Sequence, residues 1–549
     1  MKASLAGAVA LGAESIPGAA RVRAEDRFDL ILKDGMVYDG SGRPGFRGDV
    51  AVKDGRIAAV GRNLGRSGRV IELGGLAVSP GFIDIHSHTD TNLLKYPKGD
   101  SRIFQGVTLE VGGNCGGAPF VYSDAEWEKR KNTKRYGYPA WRDVDGFYNA
   151  LEQNGIGINY CSLVGHGDLR EAVVGPYNVR ATDAQLEQMC SLLDAELSLG
   201  AIGLSFGLEY TPGCYCDTRE MVALCKVVAR HDALYAIHMR NEDDHVLEAM
   251  DEAIEAARQS GVRLEISHLK AQNPANFSKI DAMLSKIDSA RAEGIDVAFD
   301  RYPYTAFYNN MSAFIPQSLR DGTKAEVLAR LDDPEVCAKI RENVYRRLES
   351  YGGADKVLVC ACSDPRNAVY AGKSIAECSR ISGLDEWEFI RYLLKSEKLG
   401  VYRATFAMKE ENLRRLYAHP YGMPGSDGGV TALSSKSLPH PRYYGTFPRF
   451  FEKYVRETPV LDLPTAVRKC SALPASRLRL SERGELVPGY FADITVFNPS
   501  TIADLSTYAV PHAFPRGIEY VLVNGVVCVE PGADGAVHTG ALPGKIIRL

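Results

Sequence analysis

The stretch GFIDIHSHTD, residues 81–90, decides the predicted fold because it joins a buried strand directly to a pair of histidines. Residues 81–85 are almost all apolar, as in a strand of a sheet that is covered on both faces. His86 and His88 follow at positions i and i+2, and in an extended chain this spacing points both imidazoles to the same side. We therefore predict that the pair binds a metal ion at the carboxyl end of this strand.

From about residue 80 to residue 480, apolar runs alternate with amphipathic helical stretches. The run INYCSLVGHG precedes the helical DAQLEQMCSLLDAELSLG, and RLEISHLKA precedes FSKIDAMLSKIDSARAEG. Strand–helix repeats of this length predict βαβ units and a parallel sheet, and seven or eight of them predict an α/β fold of the (β/α)8 TIM-like barrel type. The rhythm breaks at 305–363, which we predict to be an inserted lid.

Both ends of the chain carry short alternating runs separated by Gly and Asp turns, as in β-hairpins. The pattern begins at FDLILKDGMVYDGSG and returns in GIEYVLVNGVVCVEPG. The predicted domains are therefore a small β-sandwich from residues 28–80 and 481–549, and a barrel from residues 81–480. Residues 1–27 are predicted to be a leader or a disordered tail. Their apolar start resembles an export signal with Lys2 as its only leading charge, so that a cytoplasmic and an exported, periplasmic location both stay open.

Composition excludes several classes of protein. The chain has 549 residues and a formal net charge of −4, so no basic field is expected to attract nucleic acid. No apolar stretch reaches the roughly 18 residues that a membrane-spanning helix needs. The 12 cysteines show no repeating spacing and are predicted to be mostly buried thiols rather than a disulfide framework. No feature of the sequence predicts the oligomeric state.

Three further residues are candidate metal ligands. His238 and His268 each close a strand-like run, and their separation of one strand–helix repeat places them on adjacent strands. Asp427, in GMPGSDGG, lies where an eighth strand would end. A carboxylate there can bind a metal ion and take a proton from its water, although a plain Gly-Asp-Gly turn is the alternative. His166 lacks this pattern and is expected to support the site at most.

Seven motifs follow one another along the chain: GFIDIHSHTD, EVGGNCGG, AIHMRNE, EISHLKA, PGSDGG, HPRYYGTFPRFFEKYVRE and GIEYVLVNGVVCV. Together they resemble the N-acyl-D-amino-acid deacylases (D-aminoacylases), a branch of the amidohydrolase superfamily. The resemblance runs from Phe28 to Leu549. It implies that Cys115 is a metal ligand, that it holds one tight zinc ion together with His238 and His268, and that a weaker second site is framed by His86, His88 and Asp427.

The same resemblance implies a small-molecule substrate, an N-acyl amino acid. Arg442 and one of Tyr302 and Tyr304 match family positions that bind the α-carboxylate, and Tyr210 matches a tyrosine near the scissile amide. By the same resemblance Lys270 is predicted to bind the substrate. It lies two residues beyond His268, so that an extended strand would turn both side chains toward the same cavity.

The resemblance implies zinc-dependent hydrolysis of the amide bond, with Asp427 carrying the proton from water to the leaving amine. Selectivity for D over L substrates comes from the resemblance alone. One alternative is a cyclic-amide hydrolase of the hydantoinase or dihydroorotase kind, which would need a bridging lysine and would leave Cys115 and Arg442 without roles. Another is a non-catalytic barrel that has lost its metal, yet all six ligand positions are filled.

The start of the inserted lid, TAFYNNMSAFIPQSLR, carries the prediction for the substrate side chain. No Lys or Arg lies between Tyr304 and Arg320, whereas Phe307, Tyr308 and other residues there are apolar or aromatic. A cavity lined in this way favours a neutral hydrophobic side chain over an acidic one. Arg301 is the competing signal, because a guanidinium turned inward would pair with an acidic substrate.

Overall fold

The computed structural model describes residues 27–435 and 437–549. The leader predicted for residues 1–27 therefore lies, apart from Arg27, outside the described residues. None of the helices in these ranges combines the length and the apolar character that crossing a membrane requires. All 12 cysteines are free thiols, and most of them are buried.

A mixed sheet of nine strands is built from both ends of the chain. The two ends meet where Ile494–Phe497 pairs antiparallel with Ala77–Pro80. Leu32, Val50 and Ile494 lie in the core beneath this sheet and are fully buried. The strands are Arg27–Val37, Phe46–Lys53, Arg56–Gly61, Arg66–Glu72, Ala77–Pro80, Ile494–Phe497, Ile518–Val523, Val526–Gly532 and Gly535–His538.

Parallel strands make up the middle of the chain, and each pairs with the next along the sequence or continues into it. The last strand returns to the first, because the backbone N–H of Asp427 donates to the carbonyl of His86 at 2.8 Å and that of His88 donates to Gly428 at 2.6 Å. The strands are Phe82–Asp84, Val107–Gly112, Asn159–Ser162, Val164–Gly165, Gly203–Gly207, Leu234–His238, Arg263–Ile266, Val297–Arg301 and Gly422–Pro424.

Helices alternate with these strands, and their sequences show why they begin and end where they do. Thr182 and Gln185 form a capping box at the start of Asp183–Ser198, which satisfies free backbone N–H groups of the first turn. Gly261 ends Val246–Ser260 in the left-handed region, which glycine adopts without strain. The helices between strands include Val144–Asn154, His166–Val173, Asp183–Ser198, Thr218–Arg230, Val246–Ser260, Ile280–Ala292, Glu410–Ala418, Arg442–Phe451 and Leu463–Cys470.

The segment between the last two parallel strands has a sheet and a core of its own. Its antiparallel strands are Ala306–Asn310, Val357–Ala361 and Tyr402–Phe406, and the third of them pairs with both others. This third strand lies beyond residue 363, where the sequence rhythm placed the end of the lid. The helices of the segment are Lys324–Arg330, Pro334–Tyr351, Ile375–Ser382 and Glu386–Ser396.

A buried ion network holds the first and last parallel strands together. Arg102 is fully buried and donates to both Asp84 and Glu110, the latter at 2.6 Å. Asp84 in turn accepts the backbone N–H of Ser426 at 2.9 Å, next to Asp427. One carboxylate thus links the strand that leads to the histidine pair with the loop that carries Asp427.

Replacing Arg102 by Met should destabilise the protein by about 3–5 kcal/mol, because it leaves two buried carboxylates without their cation. Arg258→Met is the matched control. Arg258 is half exposed and pairs with Glu255 and Glu293 at the surface, where such pairs contribute about 0–1 kcal/mol. Urea unfolding followed by circular dichroism measures both. Equal losses in the two variants would contradict the role given to Arg102.

Candidate metal centre and active site

Five side chains at or just beyond the ends of parallel strands surround the sulfur of Cys115. Its Sγ lies 3.4 Å from Nε2 of His86 and 3.5 Å from Nε2 of His268. His268 Nε2 lies 2.9 Å from Nδ1 of His238. The ligand atoms form two groups, each with all members within 4.8 Å of one another: Cys115 with His238 and His268, and Cys115 with His86, His88 and Asp427.

The structure therefore brings together all six residues that the sequence picked out as ligands. It also places Cys115 in both groups, whereas the resemblance assigned the cysteine to the tight site alone. One thiolate with two or three imidazoles and a carboxylate is a donor set that zinc binds. The chemistry of these side chains thus fits a zinc centre, and Cys115 belongs to both groups of candidate ligands.

Three of these residues adopt a backbone conformation that side chains rarely take. Cys115, His268 and Asp427 have φ values of 53°, 37° and 49°. Such strain persists only where the surroundings fix the backbone, and it is commonly found at functional sites. At Cys115 the glycines make this possible, since a Cβ on the neighbouring Gly116 would lie 2.8 Å from the backbone nitrogen of Gly207.

Two buried carboxylates orient the histidines from behind. Asp300 Oδ2 lies 3.1 Å from Nδ1 of His86, and its Oδ1 accepts the backbone N–H of His268 at 2.9 Å. Glu242 Oε1 lies 3.0 Å from Nδ1 of His268. These contacts hold the rings so that each Nε2 points at Cys115, as carboxylates commonly do behind metal-bound histidines.

The analysis of the sequence missed both carboxylates, although each left a signal. Glu242 follows His238 by four residues in AIHMRNE, and Asp300 lies at the end of the strand Val297–Arg301. A carboxylate at the carboxyl end of a parallel strand faces the same cavity as the ligands. The sequence does not show which residue lies next to the ring nitrogen of each histidine that faces away from Cys115.

The electrostatics favour the charged forms of Cys115 and Asp427. Burial opposes ionisation of the Cys115 thiol, but His86 and His268 outweigh it, and the pKa of the thiol lies well below its usual range. Burial likewise opposes the charge on Asp427, but Arg442 and the histidines hold the pKa of its carboxyl well below the usual value. A thiolate and a carboxylate are the forms that bind a metal ion.

A cavity of about 640 Å³ opens onto this centre and contains most of the predicted substrate-binding residues. Arg442 lies 2.6 Å from Asp427 through Nη1 and Oδ2, and its guanidinium stacks 4.7 Å from the ring centre of Tyr302. The Nε of Arg442 is buried without a hydrogen-bond partner among the described residues. Tyr210 lies against His238, with ring centres 4.8 Å apart. The free edge of Arg442 can therefore donate to a bound carboxylate.

Lys270 lines the cavity but is already paired. Its Nζ lies 2.5 Å from Glu242 Oε1 and 2.8 Å from Nδ1 of His268. Gln272 donates to the other oxygen of Glu242 at 2.7 Å. In this arrangement Lys270 fixes the carboxylate that orients a ligand, and Arg442 is the cation with donors to spare.

The structure separates Tyr302 from Tyr304, which the sequence left as alternatives. Tyr302 lines the cavity, whereas the hydroxyl of Tyr304 donates to Asp504 at 2.8 Å, away from it. The parallel strand ends at Arg301, so the alternation that would have turned both tyrosines inward no longer applies. Arg301 does not face the cavity either, because it donates to the carbonyl of Tyr304 at 2.9 Å.

His166 lies in a second cluster, outside the cavity. Its Nε2 lies 2.7 Å from Glu220, and Cys216 is close to both. Arg170 donates to the same glutamate, and Arg240 lies 3.8 Å from the sulfur of Cys216. Arg170 neutralises Glu220, and burial raises the pKa of the Cys216 thiol to about 12, so that this cluster is a structural ion pair rather than a set of metal ligands.

Comparisons with known proteins point to one family. Residues 69–341 and 388–529 match the sequence model of the amidohydrolase family. An N-acyl-D-glutamate deacylase from Alcaligenes xylosoxydans xylosoxydans is 34% identical over 528 residues, which cover 95% of this chain and 97% of that relative.

Two solved structures are similar over nearly the whole chain. The crystal structure of N-acyl-D-glutamate deacylase from Bordetella bronchiseptica, complexed with zinc and a phosphonate that mimics the tetrahedral intermediate, has a TM-score of 0.80 at 32% identity and covers 95% of this chain and 100% of that one. A D-aminoacylase with a binuclear metal centre, activated by one metal and attenuated by the second, has a TM-score of 0.79 at 32% identity with the same coverage.

Replacing Cys115 by Ala should remove most of the bound zinc and nearly all activity while the chain still folds, because the thiolate belongs to both ligand groups. Metal analysis by mass spectrometry, with circular dichroism for folding, measures this. Cys190→Ala, which removes a half-buried thiol on the helix Asp183–Ser198 that belongs to neither ligand group, should keep the full metal content. A normal zinc content in Cys115→Ala would refute the assignment.

Proposed function

The chain belongs to the amidohydrolase family, and we propose that it hydrolyses the amide bond of N-acyl-D-amino acids to give a carboxylate and a free D-amino acid. It is a metal-dependent hydrolase. One observation carries the proposal: Arg442 and five of the six candidate ligands line the same cavity, and the sixth, His86, lies buried beside Cys115. The Nε of Arg442 has no hydrogen-bond partner among the described residues. A cyclic amide without a free carboxylate would leave the Nε of that guanidinium without an acceptor.

The fold proposed for this activity is a (β/α)8 barrel with a small β-sandwich from residues 28–80 and 481–549. The return of the last parallel strand to the first supports closure of the barrel within residues 81–480. The sheet that joins both chain ends supports the second domain. For the lid we propose that the insertion starts at residue 305 as predicted and continues through the strand Tyr402–Phe406, since that strand completes its sheet.

We propose one tight zinc ion held by Cys115, His238 and His268, and a weaker second ion framed by His86, His88 and Asp427. When bound, zinc polarises the amide carbonyl and lowers the pKa of a bound water. Because Cys115 lies close to both groups of ligands, we expect the binding of one zinc ion to affect the affinity of the other site for zinc.

The side chains of the cavity divide the remaining work. Asp427 lies 2.9 Å from His88 through Oδ1 and 2.6 Å from Arg442 through Oδ2, so it is held at the centre of the site in its charged form. It accepts a proton from the attacking water and delivers it to the leaving nitrogen. Arg442 binds the α-carboxylate through its remaining donors, and a guanidinium suits this because it can form two parallel hydrogen bonds. Tyr210, beside His238, lies where the scissile amide must approach.

Asp427→Asn should keep the tight zinc and lower kcat by about 10²–10⁴, since the amide cannot accept the proton of the water. Turnover of N-acetyl-D-leucine and the zinc content are measured on the same preparation. A loss smaller than about tenfold, with zinc retained, would show that another residue is the base.

The wall of the cavity on the side of the insertion supports a neutral substrate side chain. It consists of Phe307, Tyr308, Asn309 and Tyr402 together with small residues. Among the described residues that line the cavity, Lys270 and Arg442 are both paired, and Lys95 is exposed at the rim. An acidic side chain would lose its hydration here without gaining a counter-ion.

We therefore expect higher kcat/KM for N-acetyl derivatives of D-leucine, D-phenylalanine and D-methionine than for those of D-aspartate and D-glutamate. Burial of the apolar side chains contributes roughly 25 cal/mol per Å². All five substrates are measured side by side, with the L-leucine derivative as the stereochemical control. A preference for the two acidic substrates would contradict this reading of the cavity wall.

A further inference from the structure

A second, smaller cavity of about 220 Å³ borders the active site. It shares Glu209 and Tyr210 with the larger cavity and lies between the loops that follow two parallel strands and the insertion. Four guanidinium groups line it, from Arg240, Arg320, Arg346 and Arg347, together with the single carboxylate of Glu209. Neither the proposed reaction nor the metal centre uses these arginines.

Three of the four arginines lack an acidic partner. Arg240 pairs with Glu252 at 2.8 Å. The other three, Arg320, Arg346 and Arg347, lie on the insertion, and no carboxylate among the described residues lies within 4.0 Å of their guanidinium groups. Glu209 faces His238 instead, with its Oε2 3.7 Å from Nε2 of the imidazole. Glu209 and Asp243 act on Arg347 only from a distance. The cavity therefore carries an uncompensated positive charge.

Two of these guanidinium groups also have unused donors in the protein interior. Arg320 donates from Nη1 to the carbonyl of Glu209 at 3.1 Å, and Arg347 donates from Nη1 to the hydroxyl of Tyr351 at 3.2 Å. The Nε of each is buried without a hydrogen-bond partner among the described residues. A buried charged donor without an acceptor is costly, and an oxyanion supplies both the acceptors and the charge.

We propose that this cavity binds a small oxyanion, a carboxylate or a phosphate, between Arg320, Arg346 and Arg347. Its volume corresponds to roughly seven water molecules at about 30 Å³ each, which is room for such a group with part of its hydration. The anion has two possible sources. It is either a second carboxylate at the far end of the substrate's acyl group, in which case the inference rests on the proposed function, or a separate anion in solution.

Isothermal titration calorimetry of the zinc-loaded full chain with inorganic phosphate tests the site. Arg320→Gln and Arg347→Gln should each weaken the phosphate binding that depends on this cavity by about tenfold or more, since each removes charge-assisted hydrogen bonds. Arg346→Gln, at an exposed position, tests the same site without disturbing the interior. Arg341→Gln is the control, because Arg341 lies on the same helix but is exposed and faces Asp385.

Phosphate held by zinc or by Arg442 would bind equally to the parent and to all four variants. Equal binding in the parent, Arg320→Gln, Arg346→Gln and Arg347→Gln would therefore overturn the site. Because calorimetry needs no turnover, this result is independent of whether the proposed reaction is correct.

The source of the anion is decided by kinetics with N-succinyl-D-leucine and N-acetyl-D-leucine. If the substrate supplies the anion, the kcat/KM for N-succinyl-D-leucine divided by that for N-acetyl-D-leucine falls in Arg347→Gln and stays unchanged in Arg341→Gln. If the anion is separate, the ratio is the same in the parent and in Arg347→Gln while phosphate binding is lost. Unchanged ratio and unchanged phosphate binding together refute both versions.

Discussion

The return of the last parallel strand to the first is the constraint on which the whole site depends. Residues 86 and 427 are far apart in the chain, and the backbone hydrogen bond of 2.8 Å between them brings two groups of ligands to one place. Asp84, at the end of the first strand, strengthens the junction because it accepts from Arg102, in the helical turn Asp100–Ile103, and from the backbone of Ser426 after the last strand. Without this junction His86, His88 and Asp427 would not face Cys115.

The site within this junction is organised by pairs of opposite charge. Carboxylates behind the histidines fix the rings, and cations beside the carboxylates fix the carboxylates in turn. Glu242 shows this best, since it contacts His268 on one side and Lys270 on the other. Strained backbone at Cys115, His268 and Asp427 is tolerated because these contacts determine each side chain from several directions. The outcome is a preorganised centre that needs little rearrangement when a metal ion or a substrate binds.

Periodicity and spacing predicted the parts of this protein that depend on local geometry. The i, i+2 spacing of His86 and His88, and the separation of His238 and His268 by one repeat, predicted four of the six side chains that the structure brings together. Cys115 was identified as a ligand only through the resemblance, because a cysteine among glycines looks like any buried thiol.

Contacts between distant parts of the chain could not be read from the sequence. Two tyrosines two residues apart, Tyr302 and Tyr304, face different surroundings because the strand ends at Arg301. Asp300 and Glu242 were not predicted because their role depends on their contacts with the Nδ1 atoms of His86 and His268, and these contacts join distant parts of the chain. The insertion was predicted to end at residue 363 because the helices after it resemble the strand–helix rhythm of the main repeat, and the longer insertion proposed above includes the strand Tyr402–Phe406. Pairing of that strand with Ala306–Asn310 is a long-range choice that no local pattern reveals.

The central claim is that a thiolate from Cys115 belongs to the metal centre. X-ray absorption at the zinc edge, on protein loaded with one equivalent of zinc, tests it most directly. We expect a sulfur scatterer at about 2.3 Å from the zinc ion, together with nitrogen scatterers at about 2.0–2.1 Å. A zinc shell made up entirely of nitrogen and oxygen would contradict the account.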